Sequence, residues 1–228
     1  MSRIISFGNL KGGVGKSQCT ILTATAFSNE PFKLNVCVLD TDPQQSITTT
    51  RKLDLRAYNQ TTAPYKVLSL SVERAMRELP ELDHEFDFIF IDAQGKLDTE
   101  KEIKNQEIGK LLMLVDFLFV PLVQGNFNLA ASSQYIEFAT RIEKARSNTK
   151  RQINIHSFIN MAKPRSKANG FLLQDARALN VPIMKNALND YSLFREADTI
   201  TSLYAPNSSD PAKINFSNFL NEFFTITQ

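Results

Sequence analysis

The stretch GNLKGGVGKS near the amino terminus has the residue types and spacing of a phosphate-binding loop. Gly12, Gly13 and Gly15 allow the backbone to wrap closely around a polyanion with its N–H groups pointing inward. Lys16 can reach the β- and γ-phosphates of a nucleotide, and the hydroxyl of Ser17 suits Mg²⁺. A strand, then GGVGKS, then a helix therefore favours a nucleotide site over a purely structural glycine-rich turn.

One residue of this loop departs from the usual phosphate-loop pattern, G-x-x-x-x-G-K-[ST], and a second is an additional lysine. Leu10 stands where the pattern has its first glycine, and Lys11 adds a second lysine. One lysine is enough to meet the terminal phosphates, so Lys11 calls for a separate explanation.

Three aspartates at the ends of apolar runs complete the set of residues that could carry chemistry. Asp92 ends the run FIFID, as a Walker B aspartate does, and could hold a water of the magnesium shell. Asp40 and Asp42 bracket Thr41, and residues two apart in an extended chain point the same way. One of them could support the metal ion while the other orients an attacking water. Alternatively, Asp42 could be the N-cap of a helix beginning at Pro43.

Short apolar runs alternate with helical patterns along the chain, which predicts an α/β fold with a mostly parallel twisted sheet covered by helices on both faces. Strands are predicted at 3–7, 35–40, 66–70, 86–92, 117–123 and 153–160, and helices at 16–28, from Pro43, at 128–146 and at 167–179. We expect one domain spanning 1–228. Ligands of such folds bind at the carboxyl ends of the strands, which here are Gly8, Asp40, Asp92, Val123 and Asn160.

Charge is distributed unevenly. The net charge of the 228 residues is +2, but 141–195 contains eleven Lys or Arg and three acids, a net of +8 that leaves −6 for the rest. This asymmetry indicates either one basic face or an ordinary solvated helix surface.

The only cysteines, Cys19 and Cys37, show no metal-binding spacing and fit a reducing cytoplasm. We expect neither a signal peptide nor a membrane span.

Several motifs together resemble the ParA/MinD group of P-loop ATPases with a deviant Walker A motif. They are KGGVGKS after a strand, LDTDPQ, FIFID and the fifth strand VDFLFVPLVQ, and the resemblance runs over most of the chain. The layout is closest to the small ParA-type DNA partition ATPases that lack an N-terminal helix-turn-helix, since the first strand begins at Arg3.

This resemblance implies ATP and Mg²⁺ as cofactors and gives Lys11 a task. In that family the early lysine reaches across a nucleotide-sandwich homodimer to the phosphates of the other protomer, which ties hydrolysis to dimerisation. Asp42 matches the catalytic aspartate, beside Lys11 and Lys16, and Asn160 matches an adenine-contacting asparagine, although it could be a turn residue. The implied ATP-binding residues are Lys11, Gly12, Gly13, Val14, Gly15, Lys16, Ser17, Gln18 and Asn160, and the implied metal ligands are Ser17, Asp40 and Asp92.

One departure from the family concerns the segment after Asp92, which is Ala93-Gln94-Gly95 rather than a proline-containing segment. Gly95 could still offer its backbone N–H to the γ-phosphate.

The resemblance implies a cytoplasmic, nucleoid-associated DNA-segregation ATPase. Its ATP-bound dimer would bind non-specific DNA, and a centromere-bound ParB-like adaptor would stimulate slow hydrolysis. The candidate DNA-binding residues are Lys163, Arg165, Lys167, Lys185 and Arg195.

Three alternatives stay open at the level of sequence. A MinD-like membrane positioner needs a basic amphipathic C-terminal helix. The segment 214–224 is amphipathic but carries Glu222 and almost no positive charge, so we expect it to pack on the sheet and expect no membrane partner.

An iron–sulfur nitrogenase-type reductase needs thiolate ligands, for which Cys19 and Cys37 are poorly placed. A small-molecule kinase would leave Lys11 without a clear task.

Overall fold

A six-stranded sheet forms the centre of the computed structural model, which describes residues 1–95, 102–146, 152–164 and 166–228. All strand pairs are parallel, in the order β3-β2-β4-β1-β5-β6. The strands are β1 (Arg3–Phe7), β2 (Val36–Asp40), β3 (Lys66–Ser69), β4 (Phe88–Asp92), β5 (Phe117–Leu122) and β6 (Asn154–Ile159). The helices are α1 (Lys16–Ser28), α2 (Ser46–Ala57), α3 (Val72–Glu85), α4 (Glu102–Leu112), α5 (Asn126–Ala145), α6 (Lys167–Ala176), α7 (Ser192–Arg195) and α8 (Pro211–Thr227).

Helices cover both faces of this sheet, which confirms the predicted fold class. Buried residues of α1, α2 and α8 form one apolar cluster with the strands, and buried residues of α3, α4, α5 and α6 form the other. Every residue of β2 and β4 is buried, as expected for strands that are covered on both sides.

The predicted helix beginning at Pro43 is wrong by three residues, because α2 begins at Ser46. The residues before it form a turn in which the N–H of Gln45 donates to the carbonyl of Asp42 at 2.8 Å. Gln45 then adopts a left-handed conformation with φ 49°, so the chain cannot be helical until after it.

The C-terminal helix α8 packs on the sheet, as predicted. Asp210 caps it by accepting from the N–H of Ala212 at 2.8 Å, and Pro211 occupies its first turn. Phe223 is fully buried, with its ring centroid 4.3 Å from that of Phe119 and 5.6 Å from that of Phe7. Among the described residues, no helix is long and apolar enough to cross a bilayer.

Replacing Phe223 by alanine tests whether α8 is part of the core. We expect Phe223→Ala to lower the free energy of unfolding by about 3–5 kcal/mol, because a fully buried ring leaves a cavity. The matched control is Phe171→Ala, since Phe171 is 66% exposed and should cost less than about 0.5 kcal/mol. Urea unfolding measures both, and equal costs would contradict the assignment of α8 to the core.

Candidate active site

The phosphate loop joins β1 to α1 and wraps around a cleft at the carboxyl end of the sheet. Gly13 and Gly15 have φ of 77° and 90°, which glycine adopts without strain. The cleft has a volume of about 310 Å³. It is lined by Gly12, Gly13, Gly15, Lys16, Ser17, Gln18, Asp42, Gln44, Ser46, Gln94, Gly95 and Met161. Because α1 begins at Lys16, its positive end faces this cleft, which suits a bound anion.

Leu10 and Asn9 explain the unusual start of the loop. Leu10 is half-buried and packs against the apolar core, so this position serves packing rather than phosphate binding. Asn9 is 1% exposed; its Nδ2 donates to the carbonyl of Pro121 at 2.9 Å and to Oγ of Ser132 at 2.8 Å. Its Oδ1 accepts from the backbone N–H of Lys11 at 3.0 Å. Asn9 therefore holds the loop in place, a role that the sequence analysis missed.

The two lysines of the loop occupy different environments. Lys16 lies inside the cleft, where its Nζ donates to the carbonyl of Lys11 at 3.2 Å. Burial lowers the pKa of Lys16, while the charges of Asp92 and Asp42 raise it and so oppose that effect. Lys11 is exposed at the surface of the loop. Lys16 is thus placed to meet a nucleotide bound by its own chain, whereas the Lys11 side chain is accessible to another molecule.

Two buried carboxylates lie side by side beneath the loop. Asp40 and Asp92 are register partners at the ends of β2 and β4, and each is 1% exposed. Oδ2 of Asp92 accepts from the Ser17 hydroxyl at 2.7 Å, and Oδ2 of Asp40 accepts from the N–H and hydroxyl of Thr48 at 2.9 and 2.7 Å. Burial raises the pKa of Asp92 to about 7; the bond from Ser17 opposes the rise, and the charge of Asp40 adds to it.

This donor set fits a magnesium ion. Oδ1 of Asp40 and Oδ1 of Asp92 are buried and have no hydrogen-bond partner among the described residues. Buried carboxylate oxygens without donors are costly, and a hard cation would compensate them. Mg²⁺ prefers such oxygen ligands and retains several waters, so few protein ligands are needed. Ser17, Asp40 and Asp92 are the residues that would hold it.

Asp42 does not cap α2, so that alternative is wrong. Its Oδ1 accepts from the N–H of Gln44 at 2.9 Å, within a turn that precedes the helix, and the N-cap residue is Gln45. The first turn of α2 is bound instead by Asp40, through Thr48. Asp42 lines the cleft, where its charge acts on Lys16. Its side chain is therefore positioned in the cleft by the turn itself.

A smaller, more apolar pocket of about 40 Å³ adjoins the cleft and shares Gly15, Gln18 and Met161 with it. Asn160 lines this pocket, and its Nδ2 donates to the carbonyl of Val14 at 2.8 Å. The Nε2 donor of Gln18 is buried there without a partner in the described part of the chain. The pocket thus offers apolar walls and an unused polar group, a combination typical of small-molecule sites.

Other walls of this pocket come from a distant part of the chain that the sequence analysis did not assign to the site. Tyr191 and Phe194 both line it, and their rings meet edge to face at 5.5 Å. No spacing in the sequence connects them to the loop. The hydrogen bond from the N–H of Ala162 to the carbonyl of Leu188, at 2.9 Å, helps to fix this segment beside β6.

The candidate DNA-binding residues are not all in one environment. Lys163, Lys167 and Lys185 are exposed, whereas Arg165 lies outside the described residues. Arg195 is ion-paired with Asp190 and lines the small pocket. Lys163 and Lys167 follow β6 and so lie at the same edge of the sheet as the cleft.

One member of the basic stretch 141–195 has a structural role. Arg146 is 3% exposed and donates to the carbonyls of Leu112 at 3.1 Å and Val115 at 2.6 Å. The charge count of this stretch therefore overstates the positive charge available at the surface.

Gly95 provides a steric test of the cleft. A Cβ at this position would lie 2.2 Å from the carbonyl oxygen of Asn9 and 2.4 Å from Nζ of Lys16. We expect Gly95→Ala to weaken nucleotide affinity about tenfold or more, because the added methyl displaces the lysine. The control is Gly170→Ala in α6, where a Cβ meets nothing within 4 Å. Titration with a fluorescent ATP analogue compares the two, and unchanged affinity in Gly95→Ala would refute this geometry.

Known proteins resemble this chain in sequence and in fold. Residues 2–78 match a family model described as an AAA domain. Maintenance of carboxysome distribution protein A from Halothiobacillus neapolitanus is 24% identical over 201 residues, which cover 85% of this chain and 82% of that protein.

Two solved structures superpose over almost the whole chain. A plasmid partition protein from Borrelia burgdorferi has a TM-score of 0.67 at 16% identity, covering 99% of each chain. A chain of the MinC:MinD cell division protein complex from Aquifex aeolicus has a TM-score of 0.72 at 13% identity, covering 98% of this chain and 96% of that one. The chain therefore has the fold of these two proteins, as its resemblance to the ParA/MinD group predicted.

Proposed function

We propose that this protein is a ParA-type DNA partition ATPase. An ATP-bound homodimer binds non-specific DNA, and a centromere-bound ParB-like adaptor releases it by stimulating slow hydrolysis. The observation that carries the proposal is the placement of two lysines on one phosphate loop, with Lys16 inside the cleft and Lys11 exposed. The relatives named as a plasmid partition protein and a carboxysome distribution protein support a positioning role.

Within one protomer, the cleft binds and orients the triphosphate of ATP. The loop N–H groups and Lys16 contact the phosphates, while Asn160, Gln18 and the small pocket take the base. Ser17, Asp40 and Asp92 would hold Mg²⁺, which would neutralise phosphate charge. Asp42, fixed by its bond from the N–H of Gln44, orients the attacking water.

The role of Lys11 requires a second protomer. Its backbone is fixed by Asn9, and its side chain leaves the loop toward the exterior. A cation that is supplied by the partner protomer stabilises charge in the transition state only after dimerisation. Hydrolysis then depends on the dimer, as a positioning cycle needs.

Binding to DNA would occur through phosphate contacts near the same edge of the sheet. Lys163 and Lys167 are exposed there, and Lys185 is a further exposed cation. Contacts of lysine with phosphate give affinity without reading sequence. This surface would place the protein on the nucleoid in the cytoplasm.

A MinD-like membrane role is the alternative, and α8 argues against it. A membrane-binding amphipathic helix must turn its apolar side to lipid. In α8 the apolar side chains Phe216, Phe219 and Phe223 are buried in the core. Pelleting with anionic liposomes in the presence of ATP would revive this alternative if the protein bound strongly.

An iron–sulfur role is also disfavoured. Burial raises the pKa of the Cys19 thiol, and burial is the main cause that raises the pKa of Cys37 to about 12. Both cysteines are buried and free. Cluster ligands are thiolates at an accessible dimer axis, which neither residue supplies.

Mutation should distinguish the role of Lys16 from that of Lys11. We expect Lys16→Ala to weaken ATP binding about ten- to hundredfold, because it removes a charged contact within the site. Lys11→Ala should keep monomeric ATP binding and reduce the stimulated hydrolysis rate, a loss that for a cation supplied in trans can reach about 10³-fold. ATP titration and steady-state ATPase assays measure both. A Lys11→Ala protein with the normal stimulated rate would disprove the assignment in trans.

ATP-dependent DNA binding tests the proposed function itself. We expect Lys163→Glu to weaken binding of random-sequence duplex DNA in the presence of ATP and to reduce the salt-dependence slope by about 1. The matched control is Lys144→Glu, an equal charge change in the same basic stretch, near the C-terminal end of α5 at the opposite edge of the sheet. If wild-type protein with ATP does not bind DNA, or if both variants lose binding equally, the proposed DNA surface is wrong.

A further inference from the structure

A continuous series of hydrogen bonds connects the phosphate loop to the segment between β6 and α6, which carries Lys163, ends at Lys167 and is here called the basic loop. At its first end, Oδ1 of Asn9 accepts from the backbone N–H of Lys11 at 3.0 Å, and Nδ2 of Asn9 donates to Oγ of Ser132 at 2.8 Å. The hydroxyl of Ser132 in turn donates to the carbonyl of Asn128 at 2.8 Å. The phosphate loop is thus bonded to the first half of α5.

The series continues from α5 to the basic loop. Nδ2 of Asn128 donates to the carbonyl of Gln124 at 2.6 Å, and Nε2 of Gln124 donates to Oδ1 of Asn169 at 2.6 Å. Nδ2 of Asn169 donates to the carbonyl of Lys163 at 2.8 Å. We call Asn9, Ser132, Asn128, Gln124 and Asn169 the amide relay.

Burial makes the first part of the amide relay sensitive to a lost bond. Asn9 and Ser132 are each 1% exposed, so water cannot readily replace a lost partner. The segment that carries Gln124 is also constrained, since Gly125 has φ 116° and the N–H of Asn128 donates to its carbonyl at 3.0 Å. A change at Asn9 is therefore transmitted to neighbouring bonds more readily than it is absorbed by solvent.

The first bond of the relay occupies a backbone N–H group of the phosphate loop. Phosphate loops bind anions with their backbone N–H groups, and in this structure the N–H of Lys11 is held by Asn9. A phosphate or a partner protomer that draws Lys11 away competes with Oδ1 of Asn9. The amide of Asn9 can then rotate only by changing its bonds to Ser132 and to the carbonyl of Pro121.

We propose that the amide relay consists of positioning residues that couple the nucleotide state of the Lys11 loop to polyanion binding by the loop of Lys163 and Lys167. This inference rests on the proposed function, because it requires the basic loop to contact DNA phosphates. Coupling of this kind is a free energy shared by two sites and is reciprocal, so DNA must raise ATP affinity by the factor by which ATP raises DNA affinity.

The test measures the affinity for a random-sequence DNA duplex at one salt concentration, with ATP and with ADP. The quantity of interest is the ratio of the two affinities. We expect Ser132→Ala to reduce this ratio at least about threefold while the affinity with ADP stays near that of wild type. Ser132 touches neither Lys11 nor the basic loop, so a direct effect on either site is avoided.

The matched control is Ser133→Ala, the neighbouring serine of α5. Its hydroxyl faces Glu137 at 3.4 Å and takes no part in the relay. We expect the ratio of affinities to stay at the wild-type value in this variant. A second pair of variants repeats the comparison in case Ser132→Ala folds poorly. Gln124→Ala changes a half-buried member of the relay, and its control, Gln134→Ala, changes an exposed glutamine of α5.

ATP and ADP titrations with and without DNA provide the reciprocal readout, which by linkage must change by the same factor and so checks the DNA ratio by a separate measurement. We expect the preference for ATP over ADP that DNA adds to shrink in Ser132→Ala and Gln124→Ala by the same factor as the DNA ratio. If both variants keep the wild-type ratio, the relay is overturned while the proposed function stands. If wild-type protein binds DNA equally with ATP and ADP, the proposed function fails, and the inference fails with it.

Discussion

Two carboxylates buried side by side under a lysine determine how this active site is organised. Asp40 and Asp92 end adjacent parallel strands, and burial raises the pKa of Asp92 to about 7. Each has an oxygen that no described residue satisfies, a cost that a folded protein sustains when a ligand compensates it. The same pair of strand ends lies near Lys16. Burial lowers the pKa of this lysine, and the charge of Asp92 opposes that effect. Lys16 and these carboxylates are therefore electrostatically interdependent, and in the proposed function Mg²⁺ and a nucleotide would complete the site.

The rest of the fold holds this edge rigid. Because β2 and β4 are buried on both faces, the ends of these strands cannot separate to hydrate their aspartates. Asp40 also binds the first turn of α2 through Thr48, which fixes that helix against the end of β2. Gly95 lies so close to Asn9 and Lys16 that no side chain fits there. The phosphate loop and the segment after β4 thus both contact Lys16.

Much of this arrangement could be predicted from local patterns. The apolar runs predicted all six strands to within two residues at either end, and GGVGKS predicted the loop and the start of α1. Short-range turn chemistry was less predictable. Pro43 can begin a helix, but the turn closed by Asp42 and Gln45 delays α2, since Gln45 is left-handed. The walls that Tyr191 and Phe194 give to the base pocket carry no local signal at all.

The sequence by itself determined the strand ends, the glycines and the charged residues of the cleft, because period and residue type decide these locally. Only the tertiary structure decided which residues of a given type are buried in structural contacts and which are exposed for binding. Arg146 and Lys163 come from the same basic stretch, yet the first is buried against carbonyls and the second is exposed. Likewise, Asn9 is buried and donates hydrogen bonds to Pro121 and Ser132, which lie more than a hundred residues away in the chain. Burial and hydrogen-bond partners depend on contacts distant in the chain, which no local pattern encodes.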